Sequence, residues 1–546
     1  MPSNKKNKAA VASAAVSPSA TSATTQKEDN WKWNFRFLHL LIVTTVLRVL
    51  FAAIAELKYE EAYYWLYSQH LDWSYFDHPA MIAWMIRLCT FWTGDAEIWV
   101  RMPAILCFAG TMLCMHRLAC ELFNARAAFI MAGLAAVLPA FEFYSIFSLP
   151  DAPLLFFWSL GLYLGYRLYK SENPYWWLGL GVATGLAILS KYPGIFTPLA
   201  PILLVYIKKK YKLFKTWQFV VGTILALLLT FPIFYWNSQH QWASFLFQGL
   251  SRLGEANSLR ETFGGSLLCI TALPTPLGFI LLLWVAWQSW KRRNDERWLY
   301  LICGFVPFAI VIALIATIRL VQLNWPLPAY PALTIATAAL LEEGQLWKKR
   351  SWQFILGMVL LPALLVSSVP WLAVFTNFTA LNRFNELYGW KFMAKTSLEL
   401  LSAQKDSRYC FLAGHAYQTA SELAYYSKLP QVTLGSNVVG ERCKNFDFWS
   451  QTGDYKGWNC IYVVAEELHS DGTYSSREPF NVRDLERHFE SISTTTNRQT
   501  VYRGGKPVRR YKFHQCFNYK GIPPFGEKLP GADIIKLESK KDWVKF

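Results

Sequence analysis

Apolar residues gather in runs near 35–55, 99–120, 126–144, 152–168, 174–190, 193–207, 216–236, 264–288, 298–318, 325–342 and 352–375. An α-helix needs about 20 such residues to cross a hydrocarbon core of roughly 30 Å. The pattern therefore predicts about eleven membrane-spanning helices, some marginal in length, with thirteen as the upper count. The stretch 79–93 is apolar but short and predicts an interfacial or re-entrant segment. Residues 1–30 are Ala, Ser and Thr with Lys5, Lys6 and Lys8. They hold too little apolar surface to fold and predict a disordered cytoplasmic tail. The first apolar run starts late and no small-residue cleavage site follows it, so it reads as an uncleaved anchor. From about residue 376 the pattern changes. Short β-type runs, 431–434 and 460–464, alternate with a helical stretch near 417–427. The expected fold class is an all-α polytopic membrane domain, 31–375, followed by a small extracytoplasmic α/β domain, 376–546.

Basic residues orient the spans. Lys208, Lys209, Lys210, Lys212 and Lys215 follow span six, Lys291, Arg292 and Arg293 span eight, and Lys348, Lys349 and Arg350 span ten. With eleven crossings these loops share the side of the N-terminus, which the excess of Lys and Arg marks as cytoplasmic. Loops 56–98 and 237–263, and the turns at Asp151, Lys191 and 319–325, then face outward.

Composition supports a membrane protein. Of 546 residues, 53% are hydrophobic and only 17% charged, where a soluble protein carries about a quarter. A soluble enzyme and a disordered protein are excluded. The net charge of +17 belongs largely to the basic loops and does not call for nucleic acid. Cys410, Cys443, Cys460 and Cys516 fall in the C-terminal domain, where disulfides and free thiols are equally consistent; their spacing fits no zinc motif. The other six cysteines read as small apolar packing residues.

Candidate chemistry concentrates in the first outer loop, in Tyr59-Glu60-Glu61-Ala62-Tyr63-Tyr64-Trp65 and Tyr75-Phe76-Asp77-His78-Pro79. Aromatic residues around carboxylates exclude water, raise basicity and offer faces for sugar rings.

The run from Glu60 through Trp84 resembles the first loop of the GT-C glycosyltransferases of the PMT/ArnT type, the dolichyl-phosphate-mannose-protein mannosyltransferase-like enzymes. Their bacterial members include the lipid A aminoarabinose transferases. Further matches follow in the family's order: Leu149-Pro150-Asp151-Ala152-Pro153-Leu154, Leu189-Ser190-Lys191-Tyr192, Trp236-Asn237 through Arg252, Asn324-Trp325-Pro326, and Tyr417 through Leu423. The resemblance covers about 35–450 and rests on the joint order of these motifs.

The resemblance implies transfer of a sugar from a polyprenyl-phosphate donor to a lipid A, polysaccharide or protein acceptor on the non-cytoplasmic face. The family's first-loop acid acts as general base for the acceptor hydroxyl. Carried over, that position is Glu60, with Glu61 and Asp77 as the other candidates. The family usually has Asp there; Glu reaches about 1 Å further, a displacement worth on the order of 100-fold in rate. An anionic leaving group calls for cations: Lys191, Arg252 and His78, with Arg319 and Arg260 behind them. Asp151 reads as a helix cap or an acceptor ligand. His415 and Gln418 open the outer domain's helix and stand as acceptor-side residues. No cofactor is required; a divalent metal stays open, with Asp77, His78, His240 and His415 as its ligands. Lys506, Arg509, Arg510 and Lys512 read as a solvated face. The implied setting is a bacterial inner membrane, with the C-terminal domain in the periplasm. The rival readings are a flippase of a polyprenyl-linked glycan and a non-catalytic scaffold.

Overall fold

The computed structural model describes residues 20–251, 259–272, 274–376, 386–450, 452–469, 473–493 and 496–521. Up to Phe375 the described elements are helical: α1 (Ala20–Ile54), α2 (Tyr59–Gln69), α3 (Met81–Thr90), α4 (Glu97–Leu122), α5 (Ala125–Val137), α6 (Pro139–Ile146), α7 (Asp151–Ser171) and α8 (Trp176–Ser190). Then come α9 (Leu199–Ile207), α10 (Trp217–Gln239), α11 (Ala243–Leu246), α12 (Leu259–Ala272), α13 (Pro276–Lys291), α14 (Glu296–Ala316), α15 (Tyr330–Glu343) and α16 (Arg350–Phe375). The expected tail, 1–30, lies outside the described residues as far as residue 19; from Ala20 onward it is already helix.

By length and composition alone, fewer described helices qualify as spans than the eleven apolar runs. Five described helices are long and apolar enough to cross a membrane: Asn30–Ile54 of α1, α4, α10, α14 and α16. The number rises to seven if two bent pairs are each one span. These are α5 with α6, bent by 68°, and the 262–272 part of α12 with α13, bent by 88°. The difference has a physical cause. A run of apolar residues does not register where proline breaks the helix. Pro139 separates α5 from α6, and Tyr192–Phe196, with Pro193, forms a 3-10 turn ahead of α9. The 15 residues of α8 rise only about 22 Å. The short apolar stretch 79–93 becomes α3, 10 residues long.

The main core is shared by α4, α5, α7, α14 and α15. Outward-facing residues of α1, α10 and α16 are apolar, among them Val43, Leu228 and Leu365, as lipid contact demands. Helices α8 and α10 touch backbone to backbone: a Cβ added at Gly181 would lie 2.0 Å from the Gly222 carbonyl oxygen.

Beyond Phe375 the chain forms α17 (Trp390–Ser402), α18 (Tyr417–Ser427) and a mixed sheet. Its strands are β1 (Cys410–Gly414), β2 (Thr433–Leu434), β3 (Asn459–Leu468), β4 (Tyr474–Ser476), β5 (Phe489–Ile492), β6 (Asn497–Arg503) and β7 (Lys506–Tyr519). The order is β2-β1-β3-β7-β5, with β4 beside β3 and β6 beside β7. Strand β1 runs parallel to β2 and β3; the pairs involving β4 to β7 are antiparallel. The helical stretch near 417–427 and the strands near 431–434 and 460–464 all have counterparts. Cys410, Cys443, Cys460 and Cys516 are buried free thiols, although Cys460 and Cys516 face each other across β3 and β7. The solvated face expected near 506–512 is partly interior, since Arg509 is only 5% exposed. Helix α18 packs against α2, which seats the sheet domain on the first loop.

A methyl at Gly181 has nowhere to go, and overpacking costs about 1–3 kcal/mol. Gly181→Ala is therefore expected to lower the melting temperature of the purified protein by several degrees. Gly133→Ala, where a Cβ meets nothing within 4 Å, is expected to leave it unchanged or slightly raised.

Candidate active site

Helix α2 positions two adjacent acids, and the helical turn of about 100° per residue sends them to different places. Glu61 turns inward. Both it and Arg101 of α4 have fully buried side chains, 2.8 Å apart. The Arg101 guanidinium also donates to Glu61 Oε1 at 3.0 Å, to the Ala55 carbonyl at 2.7 Å and to the Glu56 carbonyl at 2.6 Å. Glu61 in turn accepts the Lys58 backbone N–H at 3.0 Å, which caps α2, and the Ser148 N–H at 3.3 Å. Every oxygen of this carboxylate is taken. Glu61 is thereby committed as a structural anchor between α1, α2 and α4.

Glu60 turns the other way. Its carboxylate lies 2.6 Å from Lys58 Nζ and its side chain is 27% exposed. Lys58 also reaches Glu386 at 3.3 Å, and Glu386 holds Arg477 of the C-terminal domain at 2.7 Å. Burial disfavours the Lys58 ammonium, yet Glu60 and Glu386 outweigh it and hold its pKa well above the usual lysine value. Tyr59, Tyr64 and Tyr417 lie within electrostatic reach of Glu60. Tyr144 lies within reach of both Glu60 and Asp151, so the two acids border one region.

Asp77 is 4% exposed. It accepts from the Tyr67 hydroxyl, from Tyr63 at 3.2 Å and from the Asn445 amide at 2.9 Å, with Lys444 Nζ 3.6 Å away. Burial pushes its pKa up, but Lys444, His78 and the Tyr67 bond pull harder and the carboxyl ends below its usual range. The three hydrogen bonds all fall on Oδ1 and Oδ2 faces Lys444; an anion stabilised in this way is a weak proton acceptor. Asp77 organises the loop instead, and its neighbour His78 stands with its ring 5.9 Å from that of Tyr64.

Asp151 and Lys191, far apart in sequence, come together. Lys191 Nζ donates to both oxygens of Asp151, at 2.8 and 2.9 Å, and Asn324 adds a bond at 3.1 Å. The helix-cap reading of Asp151 is overturned: it is the first residue of α7 and makes no capping hydrogen bond. Lys191 ends α8 as a paired, buried cation.

The remaining candidates lie elsewhere. Arg252 lies outside the described residues, as does the side chain of Arg260. Arg319 stacks over Trp325 at 4.4 Å. His415 is buried in the C-terminal domain, with its ring nitrogens 3.2 Å from the Tyr462 hydroxyl and 3.0 Å from the Glu478 carbonyl. Both ring nitrogens are thus partnered inside that domain. Gln418 keeps its Oε1 buried with no hydrogen-bond partner among the described residues. No group of three or more His, Cys, Asp or Glu is placed to hold a metal among the described residues, and His240 is stacked on Trp236 instead.

Several residues of the site escape sequence reasoning. Arg101 carries a signal, a charge at the start of an apolar run. Lys58, Glu386, Lys444 and Asn445 carry none. Glu422 of α18 is fully buried, and neither of its oxygens finds a hydrogen bond. Burial, with Glu56 nearby, raises its pKa well above the ordinary value of 4.5.

Comparison with known proteins agrees with the motifs. Residues 77–236 match the family described as dolichyl-phosphate-mannose-protein mannosyltransferase. The chain is 28% identical over 289 residues to the lipid A galacturonosyltransferase RgtD of Rhizobium johnstonii, covering 52% of this chain and 60% of that protein. It is 25% identical over 313 residues to an uncharacterised protein of Aquifex aeolicus, covering 55% and 60%. The chain thus spans about 60% of the length of the curated relatives it matches. Its fold is that of ArnT from Cupriavidus metallidurans. The apo structure aligns with TM-score 0.56 and 16% identity over 90% of this chain and 98% of that one. The form bound to undecaprenyl phosphate aligns with TM-score 0.59 and 15% identity, over 88% and 98%. The resemblance carried by the motifs is therefore sound, and the likeness to these structures establishes the fold.

Breaking a buried ion pair from one side costs about 3–5 kcal/mol. Glu61→Gln and Arg101→Met are expected to lower the melting temperature sharply or prevent folding, while Glu60→Gln shifts it by only a degree or two. Glu422 generates a pH effect. Its folded pKa lies above its unfolded value, so its contribution to stability is full below pH 4.5 and falls as pH rises towards the folded value, by about 1.4 kcal/mol per unit. Melting temperature measured against pH is expected to flatten over that interval in Glu422→Gln.

Proposed function

We propose that this chain is a membrane glycosyltransferase that moves a sugar from a polyprenyl-phosphate donor to a lipid A-type glycolipid, with Glu60 as general base. The observation that carries the assignment of the base is the state of the three first-loop acids. Glu61 is spent on Arg101 and Asp77 on its tyrosines and Asn445, while Glu60 alone of the three is a partly open carboxylate. The fold shared with ArnT and the similarity to RgtD support the reaction class and the glycolipid acceptor over flipping.

Glu60 takes the proton of an acceptor hydroxyl as its oxygen attacks the anomeric carbon. The bond from that carbon to the phosphate oxygen breaks, and polyprenyl phosphate leaves with the electron pair. Attack opposite the leaving group inverts the anomeric centre. When Glu60 becomes neutral, Lys58 loses one partner but keeps Glu386, so its charge is never stranded. Lys191 spends two of its three N–H donors on Asp151; the third is available to a phosphate oxygen, and Arg252 belongs to the loop expected to assist it. The basic loops support an inner-membrane protein whose C-terminal domain and active site face the periplasm.

Removing a general base lowers rate by about 100- to 10,000-fold. In membranes bearing Glu60→Gln, mass spectrometry is expected to show loss of one defined sugar from the envelope glycolipid and accumulation of its polyprenyl-phosphate donor on the outer leaflet. Transfer at the wild-type rate would overturn Glu60 as base. Donor trapped on the cytoplasmic leaflet would replace transfer by flipping.

A further inference from the structure

Glu60 stands at one end of a line of alternating charges that runs from the start of α2 into the sheet domain. Lys58 lies 2.6 Å from Glu60 and 3.3 Å from Glu386, and Arg477 lies 2.7 Å from Glu386 and 2.6 Å from Glu467. The four side chains from Glu60 to Arg477 are only 22–31% exposed, so solvent screens their charges incompletely. Tyrosines flank the line. Lys58 and Arg477 stand 5.0 and 4.5 Å from the centre of the Tyr59 ring, which is 6.2 Å from that of Tyr417. Tyr144 of α6 is within electrostatic reach of Lys58 and Glu60.

Glu386 holds the middle of this line. Burial pushes its carboxyl pKa up, but Lys58 and Arg477 outweigh burial and keep it below the usual range. It therefore stays an anion while Glu60 changes charge. Its tie to the fold runs through the backbone, where its carbonyl accepts the Trp390 indole N–H at 2.6 Å. The charge of the side chain can be removed without touching that bond.

A base in an ion pair takes a proton only by giving up the attraction of its partner. Lys58 leans towards Glu60 at rest, at 2.6 against 3.3 Å, and the longer contact has room to close when Glu60 turns neutral. The ammonium then passes from one carboxylate to the other and is not left unpaired in a half-buried site. Without the charge of Glu386, Lys58 would depend on Glu60, and protonating Glu60 would strand it. Arg477 pulls in the opposite sense, because it draws on the same carboxylate and weakens its hold on Lys58. Resting on the reading of Glu60 as base, we infer that Glu386 is a positioning residue for sugar transfer, which by sharing Lys58 keeps Glu60 a strong enough base to deprotonate the acceptor hydroxyl.

The test measures the initial rate of sugar transfer against pH in membranes bearing the full-length protein, with their own polyprenyl-phosphate donor and envelope glycolipid as substrates. Glu386→Gln is expected to lower the rate about 10-fold, short of the loss on removing the base itself, and to move the acid limb of the profile to lower pH. Glu386→Asp, which keeps the charge, is expected to restore most of both. Arg477→Met leaves Glu386 to Lys58 alone and is expected to move the acid limb to higher pH, a reversal that a mere tether between domains does not produce. In a Lys58→Met background, Glu386→Gln is expected to have no further effect. An unaltered profile in Glu386→Gln, or an equal loss from it in the Lys58→Met background, overturns the inference. Where Glu386→Gln fails to accumulate in the membrane, Arg477→Met decides: an acid limb that stays or moves to lower pH overturns the inference. Glu60→Gln separates this inference from the reading beneath it. Transfer at the wild-type rate there overturns the base, whereas loss there beside an unaltered Glu386→Gln profile overturns the role of Glu386 alone.

Discussion

The buried pair of Glu61 and Arg101 is the interaction on which the rest of the site depends. A guanidinium and a carboxylate with no exposure survive only if each fills the other's hydrogen-bonding capacity, and here both do. Arg101 gathers carbonyls from the end of α1, and Glu61 gathers N–H groups from the start of α2 and from Ser148. One pair therefore ties four separate stretches of chain to a point. That tie fixes the rotation of α2 about its axis. Once Glu61 is pinned inward, Glu60 must face the opposite side, and Tyr63 and Tyr67 must fall in line above Asp77.

The same principle sorts the other charges. In a site that excludes water, each ion must be matched, and the matching leaves a record of which groups are committed. Glu61 with Arg101, and Glu386 with Lys58 and Arg477, are matched in charge, while Lys191 keeps one N–H beyond the two it gives Asp151. Among the three acids of the first loop, Glu60 is the one that stays short of full burial. Substrate chemistry belongs at incomplete groups, because a committed group must first be freed at a cost of several kcal/mol.

Much of this architecture is legible in the order of residues. The apolar runs mark the membrane domain, the change near residue 376 marks the sheet domain, and the motifs at Glu60, Asp151, Lys191 and Tyr417 lie where the site forms. The pairing of Asp151 with Lys191 is not legible, because forty positions separate them and only the folded helix ends bring them together. Nor is the difference between Glu60 and Glu61, which are chemically alike and adjacent. What separates them is a rotation of 100° and the presence of Arg101, whose charge inside an apolar run was the available clue. The described helices long enough to qualify as spans are fewer than the apolar runs for a related reason: hydropathy adds up residues, while proline at 139 and 193 decides where a helix stops.

The contribution of the C-terminal domain is the hardest to foresee and has the largest mechanistic consequence. A domain that merely covered a cleft would meet it through apolar contacts. This one reaches in with polar groups that the first loop cannot do without. The Tyr426 hydroxyl accepts the Leu57 backbone N–H at 2.7 Å, just ahead of α2. Asn445 completes the shell of Asp77, and Glu386 and Arg477 complete that of Lys58. Withdrawing the domain would leave a buried aspartate short of a donor and Lys58 with Glu60 alone, which would pull the proposed base into a tighter ion pair. On the proposed reading the membrane helices by themselves are therefore incomplete, because the candidate site forms where α2 and the sheet domain meet.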